Sequence, residues 1–137
     1  MANTIYIVIP VFNRLEFTRE CLNSLRKQTY GEFKVIVVDD GSTDGTYQHL
    51  KDNYPEVIIL QGDGNLWWTG ATNMGVRKAL ELSASNEDYI LTLNNDLVVI
   101  PEYLQELMNI AKQEKPCVVG SVSVNIRDIN KVEFAGL

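Results

Sequence analysis

Two adjacent carboxylates, Asp39 and Asp40, follow an apolar run and are the residues of this sequence best suited to bind a ligand. Adjacent carboxylates at the end of a buried strand repel each other and lose solvation, so hydrogen-bond donors or a ligand must compensate them. The imide N–H of a nucleobase and the hydroxyls of a ribose are such donors. Ser42, Thr43 and Asp44 come next, and these residue types favour helix N-caps. We therefore expect Ser42 and Asp44 to be structural, and Asp39 or Asp40 to contact a ligand.

Apolar periodicity predicts the elements that position these carboxylates. Five apolar runs are typical of buried strands: residues 5–10, 35–39, 57–61, 89–94 and 118–124. Four segments have helical spacing: residues 15–28, 46–54, 71–83 and a helix that begins at Pro101. This alternation predicts one α/β domain over residues 1–137, with a mainly parallel sheet flanked by helices.

Polar turns follow the first four predicted strands, at residues 10–13, 39–42, 61–65 and 94–96. Three of these turns carry carboxylates and the first carries an amide. Any one of them could be an ordinary turn, because Gly, Asn and Asp favour turns. Ligands of open parallel sheets bind beyond the carboxyl ends of the strands, so the four turns together predict a ligand site at this edge.

Four sequence motifs carry a resemblance to a known family. The segment IPVFNR at residues 9–14, followed by VDDGSTD at residues 38–44, resembles the opening signature of the family 2 glycosyltransferases, which have the GT-A fold. GNLWWTGATNMG at residues 64–75 resembles that family's glycine- and asparagine-rich loop, in the form of its rhamnosyltransferase-like members. LNND at residues 93–96 is similar to the family's metal-binding strand end. The likeness spans essentially the whole chain, and it is specific for the family but weakly specific for the substrate.

The resemblance implies roles for individual residues in a nucleotide site. The backbone of Pro10 would lie near the base and ribose. Asp40 would contact the nucleobase, with Asp39 beside it on the ribose side. Gly70 and Asn73 would lie under the ribose and the diphosphate.

The resemblance also implies a metal site at Asp96, with a divalent cation such as Mg²⁺ or Mn²⁺. The family motif is usually D-x-D, whereas this chain has Asn94-Asn95-Asp96 and so only one carboxylate. We expect Asn95 to be a nucleotide-binding residue. It can orient a ribose hydroxyl or bind a metal's water through its carbonyl, but it adds no charge. A hard cation takes oxygen ligands from substrate phosphates as well, so we expect poor metal affinity without nucleotide. The alternative is that Asp96 caps the turn before Pro101.

The implied activity is transfer of a sugar from a nucleoside diphosphate donor to a hydroxyl of a glycan or lipid-linked acceptor, with inversion, in cell-surface polysaccharide or glycoconjugate synthesis. A carboxylate base would take the acceptor's proton while the metal neutralises charge on the departing diphosphate. Family members are longer and carry this base in their second half. In this chain Glu133 is too near the end to be assigned as the base. We therefore expect the base beyond Leu137, and a fragment, truncated before the acceptor half, that binds donor but is inactive alone.

Composition excludes several function classes. The net charge is −6, without a basic run, so nucleic acid is not expected as a partner. The sequence shows neither a membrane span nor a signal peptide, so we expect a cytoplasmic protein, with peripheral membrane association and self-association left open. Cys21 and Cys117 lack metal-type spacing and are expected as buried thiols. His49 lies away from the strand ends and is expected to be solvated or packed.

The sequence lacks the motifs of two other classes of α/β protein, one enzymatic and one signalling. A dinucleotide-binding oxidoreductase needs G-x-G-x-x-G after the first strand, where this chain has PVFNR at residues 10–14. A response-regulator domain needs its acidic pair after the first strand and an aspartate after the third, and this arrangement is missing. A non-catalytic sugar-nucleotide-binding module remains open, because the base is not identified.

Trp67 and Trp68 adjoin the glycine-rich loop. Adjacent side chains point in different directions, so one of the two should pack in the core. We expect this of Trp67, while Trp68 is open between the core, a role over the donor sugar, and packing on the missing half of the enzyme.

Overall fold

The computed structural model describes residues 3–113 and 115–134 and consists of alternating strands and helices. The strands are β1 Ile5–Val11, β2 Phe33–Asp39, β3 Ile58–Gln61, β4 Tyr89–Thr92, β5 Ser123–Asn125 and β6 Asp128–Phe134. The helices are α1 Leu15–Leu25, α2 Thr46–Asn53, α3 Trp67–Leu82 and α4 Tyr103–Ala111. No helix in the described part of the chain is both long and apolar enough to cross a membrane.

The first four strands form one parallel sheet in the order β3-β2-β1-β4. The two central strands, β1 and β2, are almost continuously apolar because a parallel sheet is covered on both faces. The sequence prediction of an α/β fold with a mainly parallel sheet is confirmed. Since all four strands run the same way, their carboxyl ends lie along one edge, where the predicted site turns follow.

The sheet divides the core into two clusters because side chains alternate between its faces. One face of β1 carries Ile5, Ile7 and Ile9 and packs against α1, α2 and α4. The other face carries Tyr6 and Val8 and packs against α3 alone. Helix α3 is therefore the only helix of the described chain packed into the second cluster, and its position depends on that contact.

Small residues let α3 lie close to the sheet. Ala71, Gly75 and Ala79 recur every four residues and are buried on one face of the helix. A Cβ added at Gly75 would lie 2.3 Å from Cγ1 of Val8 and 3.2 Å from Cγ2 of Val38. The helix can approach the sheet this closely only because residue 75 has no side chain.

The predicted fifth strand at residues 118–124 is wrong. Residues 118–122 are not a strand, and Val118 is 96% exposed. β5 instead pairs with β6 in an antiparallel two-stranded sheet separate from the parallel one. The apolar run misled the prediction because a short run of this kind does not show whether its side chains are covered.

Smaller differences concern the ends of elements. α1 ends at Leu25 rather than residue 28, and β4 ends at Thr92 rather than residue 94. α3 begins at Trp67, four residues earlier than its apolar periodicity predicts. The cause of this early start lies in the site described next.

Candidate functional site

Asp40, immediately after β2, is a buried carboxylate that gathers the backbone of a distant turn. Its Oδ1 accepts the N–H of Gly64 at 2.8 Å, and its Oδ2 accepts the N–H groups of Leu66 and Trp67, both at 2.9 Å. Hydrogen bonds to an ionised acceptor are roughly twice as strong as neutral ones. Asp40 is thus the anchor of residues 62–67, here called the glycine turn, and these bonds start α3 at Trp67.

Glycines are required where the glycine turn meets the end of β2. A Cβ at Gly62 would lie 2.5 Å from Oδ1 of Asp40 and 2.5 Å from Cδ1 of Leu66. A Cβ at Gly41 would lie 3.0 Å from Cα of Gly64, and Gly41 has a φ of +79°. The two loops therefore touch through their backbones, and side chains at these positions would separate them.

Asp39 is the last residue of β2 and is 2% exposed. Its Oδ1 accepts the N–H of Ser42 at 3.0 Å, which tightens the turn after the strand. Its carbonyl accepts the N–H of Gly62 at 2.8 Å, which joins β2 to the glycine turn. Pro10 lies on the neighbouring strand β1, where it is paired with Val38 of β2. Pro10, Asp39 and Asp40 are therefore together at the carboxyl edge, as predicted.

The turns after β1 and β2 are tied to each other by reciprocal hydrogen bonds. Ser42 Oγ accepts the N–H of Asn13 at 2.7 Å, and Asn13 Oδ1 accepts the N–H of Thr43 at 2.8 Å. Asn13 holds a left-handed backbone with φ of 55°, which asparagine tolerates better than most residues. Ser42 is structural, as expected.

Asp44 caps two helices at once. Its Oδ2 accepts the N–H of Leu15 at the start of α1, and its Oδ1 accepts the N–H of Thr46 at the start of α2, both at 3.1 Å. Burial opposes ionisation of Asp44, but hydrogen bonds from Thr46 and Leu15 outweigh it and lower the pKa of the carboxyl. Asp44 is therefore structural, as expected.

Asn94 and Asn95, just beyond β4, face opposite sides of the sheet. Asn94 Oδ1 accepts the indole N–H of Trp68 at 3.0 Å, on the α3 side. Asn95 Nδ2 donates to Thr18 Oγ1 at 3.1 Å, on the α1 side. The predicted nucleotide-binding residue Asn95 is thus engaged with α1, whereas Asn94, which was not among the predicted site residues, is the asparagine linked to the start of α3.

Asp96 is exposed at the same edge, close to the buried thiol of Cys21. Burial first, and then the charge of Asp96, raise the pKa of Cys21 to about 12, so this thiol stays protonated. Within residues 3–113 and 115–134, no three His, Cys, Asp or Glu side chains gather into a group able to hold a metal ion. Asp96 therefore belongs to no such group within the described residues.

Gly70 and Asn73 lie on the first turns of α3. Both line an open groove of about 570 Å³ between α3 and β3, together with Gln61 and Arg77. The predicted nucleotide residues Gly70 and Asn73 thus line a groove that reaches Gln61 at the carboxyl end of β3 and Leu66 beside Asp40.

The expectation that Trp67 packs in the core is wrong. Trp67 is 80% exposed and Trp68 is 58% exposed. By spacing, Trp67 continues the stripe of Ala71, Gly75 and Ala79, but its φ of 57° is not helical, and its side chain leaves that face of the helix. In this conformation its N–H donates to Asp40 Oδ2. The residue types and spacing of α3 gave no cue to this exposure.

Comparisons with known proteins agree with this arrangement. The family described as glycosyl transferase family 2 matches residues 6–135. Glycosyltransferase GlyG of Streptococcus pneumoniae is 28% identical over 127 residues, which covers 88% of this chain and 40% of the relative. A UDP-N-acetylglucosamine–dolichyl-phosphate N-acetylglucosaminyltransferase of Methanococcus voltae is 29% identical over 144 residues, covering 93% and 55%. The chain thus spans about half the length of these relatives, or less.

Solved structures share the fold. Staphylococcus aureus TarS 1-349 in complex with UDP-GlcNAc superposes with a TM-score of 0.68 at 21% identity, covering 86% of this chain and 37% of that one. The mannosyltransferase PcManGT from Pyrobaculum calidifontis, in complex with GDP-Man and Mn²⁺, gives a TM-score of 0.66 at 21% identity, covering 92% and 37%. At this identity the likeness shows the fold, which is the GT-A fold expected from the sequence.

Proposed function

This chain belongs to glycosyl transferase family 2, and we propose that it binds the nucleoside diphosphate sugar from which the sugar is transferred to an acceptor hydroxyl. The observation that carries the proposal is the pair of buried carboxylates at the end of β2, with the glycine turn folded onto them at the carboxyl edge of a parallel sheet. Ligands of such sheets bind at this edge. The UDP-GlcNAc and GDP-Man complexes of the two structural neighbours support the same class of ligand.

The order of the strands suggests how the donor lies. We place the base at Asp39 and Asp40 on β2, the ribose over Pro10 on β1, and the diphosphate toward Asp96 beyond β4. Neighbouring strands are about 4.8 Å apart, so β2 and β4 are separated by roughly 10 Å. Asp40 already accepts three N–H groups, and a carboxylate has about four lone-pair sites, so one further donor such as a base imide fits.

The helix N-termini of this edge are partly occupied by protein carboxylates. Free N-terminal N–H groups often bind phosphates. Asp44 accepts from α1 and α2, and Asp40 accepts from α3. We propose that Mg²⁺ or Mn²⁺, held by Asp96 and the phosphates, supplies positive charge for the diphosphate, as the Mn²⁺ complex of a neighbour supports. When bound, the cation would neutralise charge on the departing diphosphate.

We also propose that transfer proceeds with inversion, and that the general base and most acceptor contacts belong to the part of the longer relatives that this chain does not span. The edge carboxylates Asp39, Asp40 and Asp44 all accept backbone N–H groups, which disfavours them as bases. Losing a general base costs about 10²–10⁴-fold in rate. Residues 1–137 alone should therefore bind donor with little transfer, and robust product formation with a panel of glycan and lipid-linked acceptors would contradict this.

Titration calorimetry with UDP, UDP-GlcNAc, GDP and GDP-mannose, each with and without Mn²⁺, tests the donor proposal. At least one pair should bind, and Mn²⁺ should tighten its binding. Asp96→Asn should lose most of that Mn²⁺ effect, whereas Asp63→Asn, which removes an exposed carboxylate from the glycine turn, should keep it. Failure of all four ligands to bind would contradict donor binding by this chain to these nucleotides, and an equal Mn²⁺ effect in Asp96→Asn would contradict the metal role.

A further inference from the structure

The strongest unexplained feature of the molecule is the exposed pair Trp67 and Trp68. The two rings are 80% and 58% exposed, although tryptophan is among the residues with most apolar surface to bury. Polar residues would serve equally well on the outer side of a helix start. Large exposed apolar groups beside a polar site commonly mark a binding surface.

Both tryptophans are held in place from the protein side. Trp67 has a left-handed φ of 57°, an outlier for a bulky residue, and the hydrogen bond from its N–H to the buried Asp40 maintains it. Strained backbone of this kind persists only where the surroundings enforce it, and it often occurs at ligand sites. The backbone from which the Trp67 side chain extends is therefore held by Asp40.

Trp68 is held by its side chain. The indole N–H donates to Asn94 Oδ1 at 3.0 Å, which links the start of α3 to the end of β4. The bond fixes the edge of the ring, while more than half of the side chain stays open to solvent. Asn94 precedes Asn95 and Asp96, so the ring lies beside the residues where we place the diphosphate.

We propose that Trp67 and Trp68 form an aromatic wall that packs against the sugar ring of the donor. This inference rests on the proposed function. A pyranose presents C–H groups on its face and hydroxyls around its rim, so the face packs on an indole while the hydroxyls reach polar neighbours such as Asn94. Asp40 acts as a positioning residue of this wall, because it holds the backbone from which the Trp67 side chain extends.

The position of the wall favours the sugar over the base. The donor runs from base to ribose to diphosphate to sugar, and we place its base at β2 and its diphosphate near β4. The one side-chain bond from the wall to the sheet edge goes to Asn94, at the diphosphate end of that path. A base stacked on the tryptophans would instead bind equally well with or without a sugar, which makes the two occupants separable.

Intrinsic fluorescence tests the proposal directly, because the chain has two tryptophans and both are in the wall. Trp67→Phe and Trp68→Phe each leave a single emitting residue. The ligands are the pair that binds in calorimetry, either UDP and UDP-GlcNAc or GDP and GDP-mannose. The sugar nucleotide should shift the tryptophan emission to shorter wavelength, and the nucleoside diphosphate without sugar should not. Binding detected by calorimetry without any change in emission would overturn the proposal, as would an equal shift with both ligands.

Affinity gives a second measurement. Trp67→Ala and Trp68→Ala should each weaken binding of the sugar nucleotide about tenfold, corresponding to about 1.4 kcal/mol, and leave the affinity for the nucleoside diphosphate unchanged. Leu80→Ala is the matched control, since it truncates an exposed apolar side chain on the same helix roughly 20 Å away. Equal losses for both ligands would place the base on the wall and overturn the sugar assignment. If neither ligand binds the unmodified chain, the proposed function itself fails, and this inference falls with it.

Discussion

Asp40 holds the glycine turn in place through its side-chain oxygens. Its two oxygens accept N–H groups from Gly64, Leu66 and Trp67, and it is 5% exposed. The carboxylate thus organises the site as well as being proposed to contact the base. The sequence identified this residue because two adjacent carboxylates at a strand end need donors, but it could not show that backbone amides from residues 64–67 supply most of them.

Replacing Asp40 by asparagine should lower both stability and donor affinity. One acceptor oxygen becomes an NH₂ group that faces backbone donors, and leaving buried donors unsatisfied costs roughly 1–3 kcal/mol each. Urea unfolding should show a loss of at least that size, and calorimetry should show weaker binding by roughly 1.5–3 kcal/mol for loss of a charge-assisted bond. Asp63→Asn, in the same turn, should change neither quantity appreciably. An Asp40→Asn protein with native stability and native affinity would refute the anchor role.

Asp44 predicts how stability depends on pH. Hydrogen bonds from α1 and α2 lower the pKa of Asp44 in the folded chain below its value in the unfolded chain. The ionised carboxylate therefore contributes to the free energy of unfolding above the unfolded pKa, and this contribution is lost as pH falls through the folded pKa. Asp44→Asn should therefore be less stable than the native chain at neutral pH, and the difference should narrow in acid. Urea midpoints across a pH series measure this, with Asp52→Asn as an exposed control. A stability difference that stays constant with pH would contradict the assignment.

The elements were predicted most reliably where periodicity and burial coincide. β1 and β2 were recovered almost in full because apolar runs in a parallel sheet are buried on both faces. The start of α3 was missed because it depends on bonds from Trp67 and Leu66 to Asp40, far away in the sequence. The run at residues 118–124 was misplaced because the hydrophobicity of Val118 does not reveal that nothing in the described chain covers it.

Helix α3 should tolerate no side chain at residue 75. Gly75→Ala would place a Cβ 2.3 Å from Val8 Cγ1, so the helix must move off the sheet. Overpacking costs about 1–3 kcal/mol, against a gain of about 1 kcal/mol in helix propensity. The net result should be a lower urea midpoint, and weaker donor binding because the helix carries the glycine turn. Gly31→Ala, where an added Cβ meets no atom within 4 Å, should leave both unchanged. A stabilised Gly75→Ala protein would show that α3 does not pack as described.

At the scale of the whole molecule, charge and topology decide where an anionic donor can bind. The net charge of −6 repels a diphosphate, and protein carboxylates already accept N–H groups at the starts of α1, α2 and α3. The parallel sheet nevertheless brings the β1, β2 and β4 turns to one edge, which the sequence predicted from the polar turns that follow its apolar runs. The groove that Gly70 and Asn73 line was not predictable, because it depends on which face of α3 packs on the sheet.

Amide chemical-shift mapping by NMR shows whether the donor binds at the carboxyl edge of the sheet. The chain would be titrated with whichever sugar nucleotide binds in calorimetry. We expect the largest shifts at residues 39–42, 62–68 and 94–96. The cavity of about 380 Å³ at the opposite end of the sheet, lined by Tyr6, Ser85 and Asp88, should not respond. Shifts concentrated at that cavity, with the glycine turn unaffected, would contradict the account.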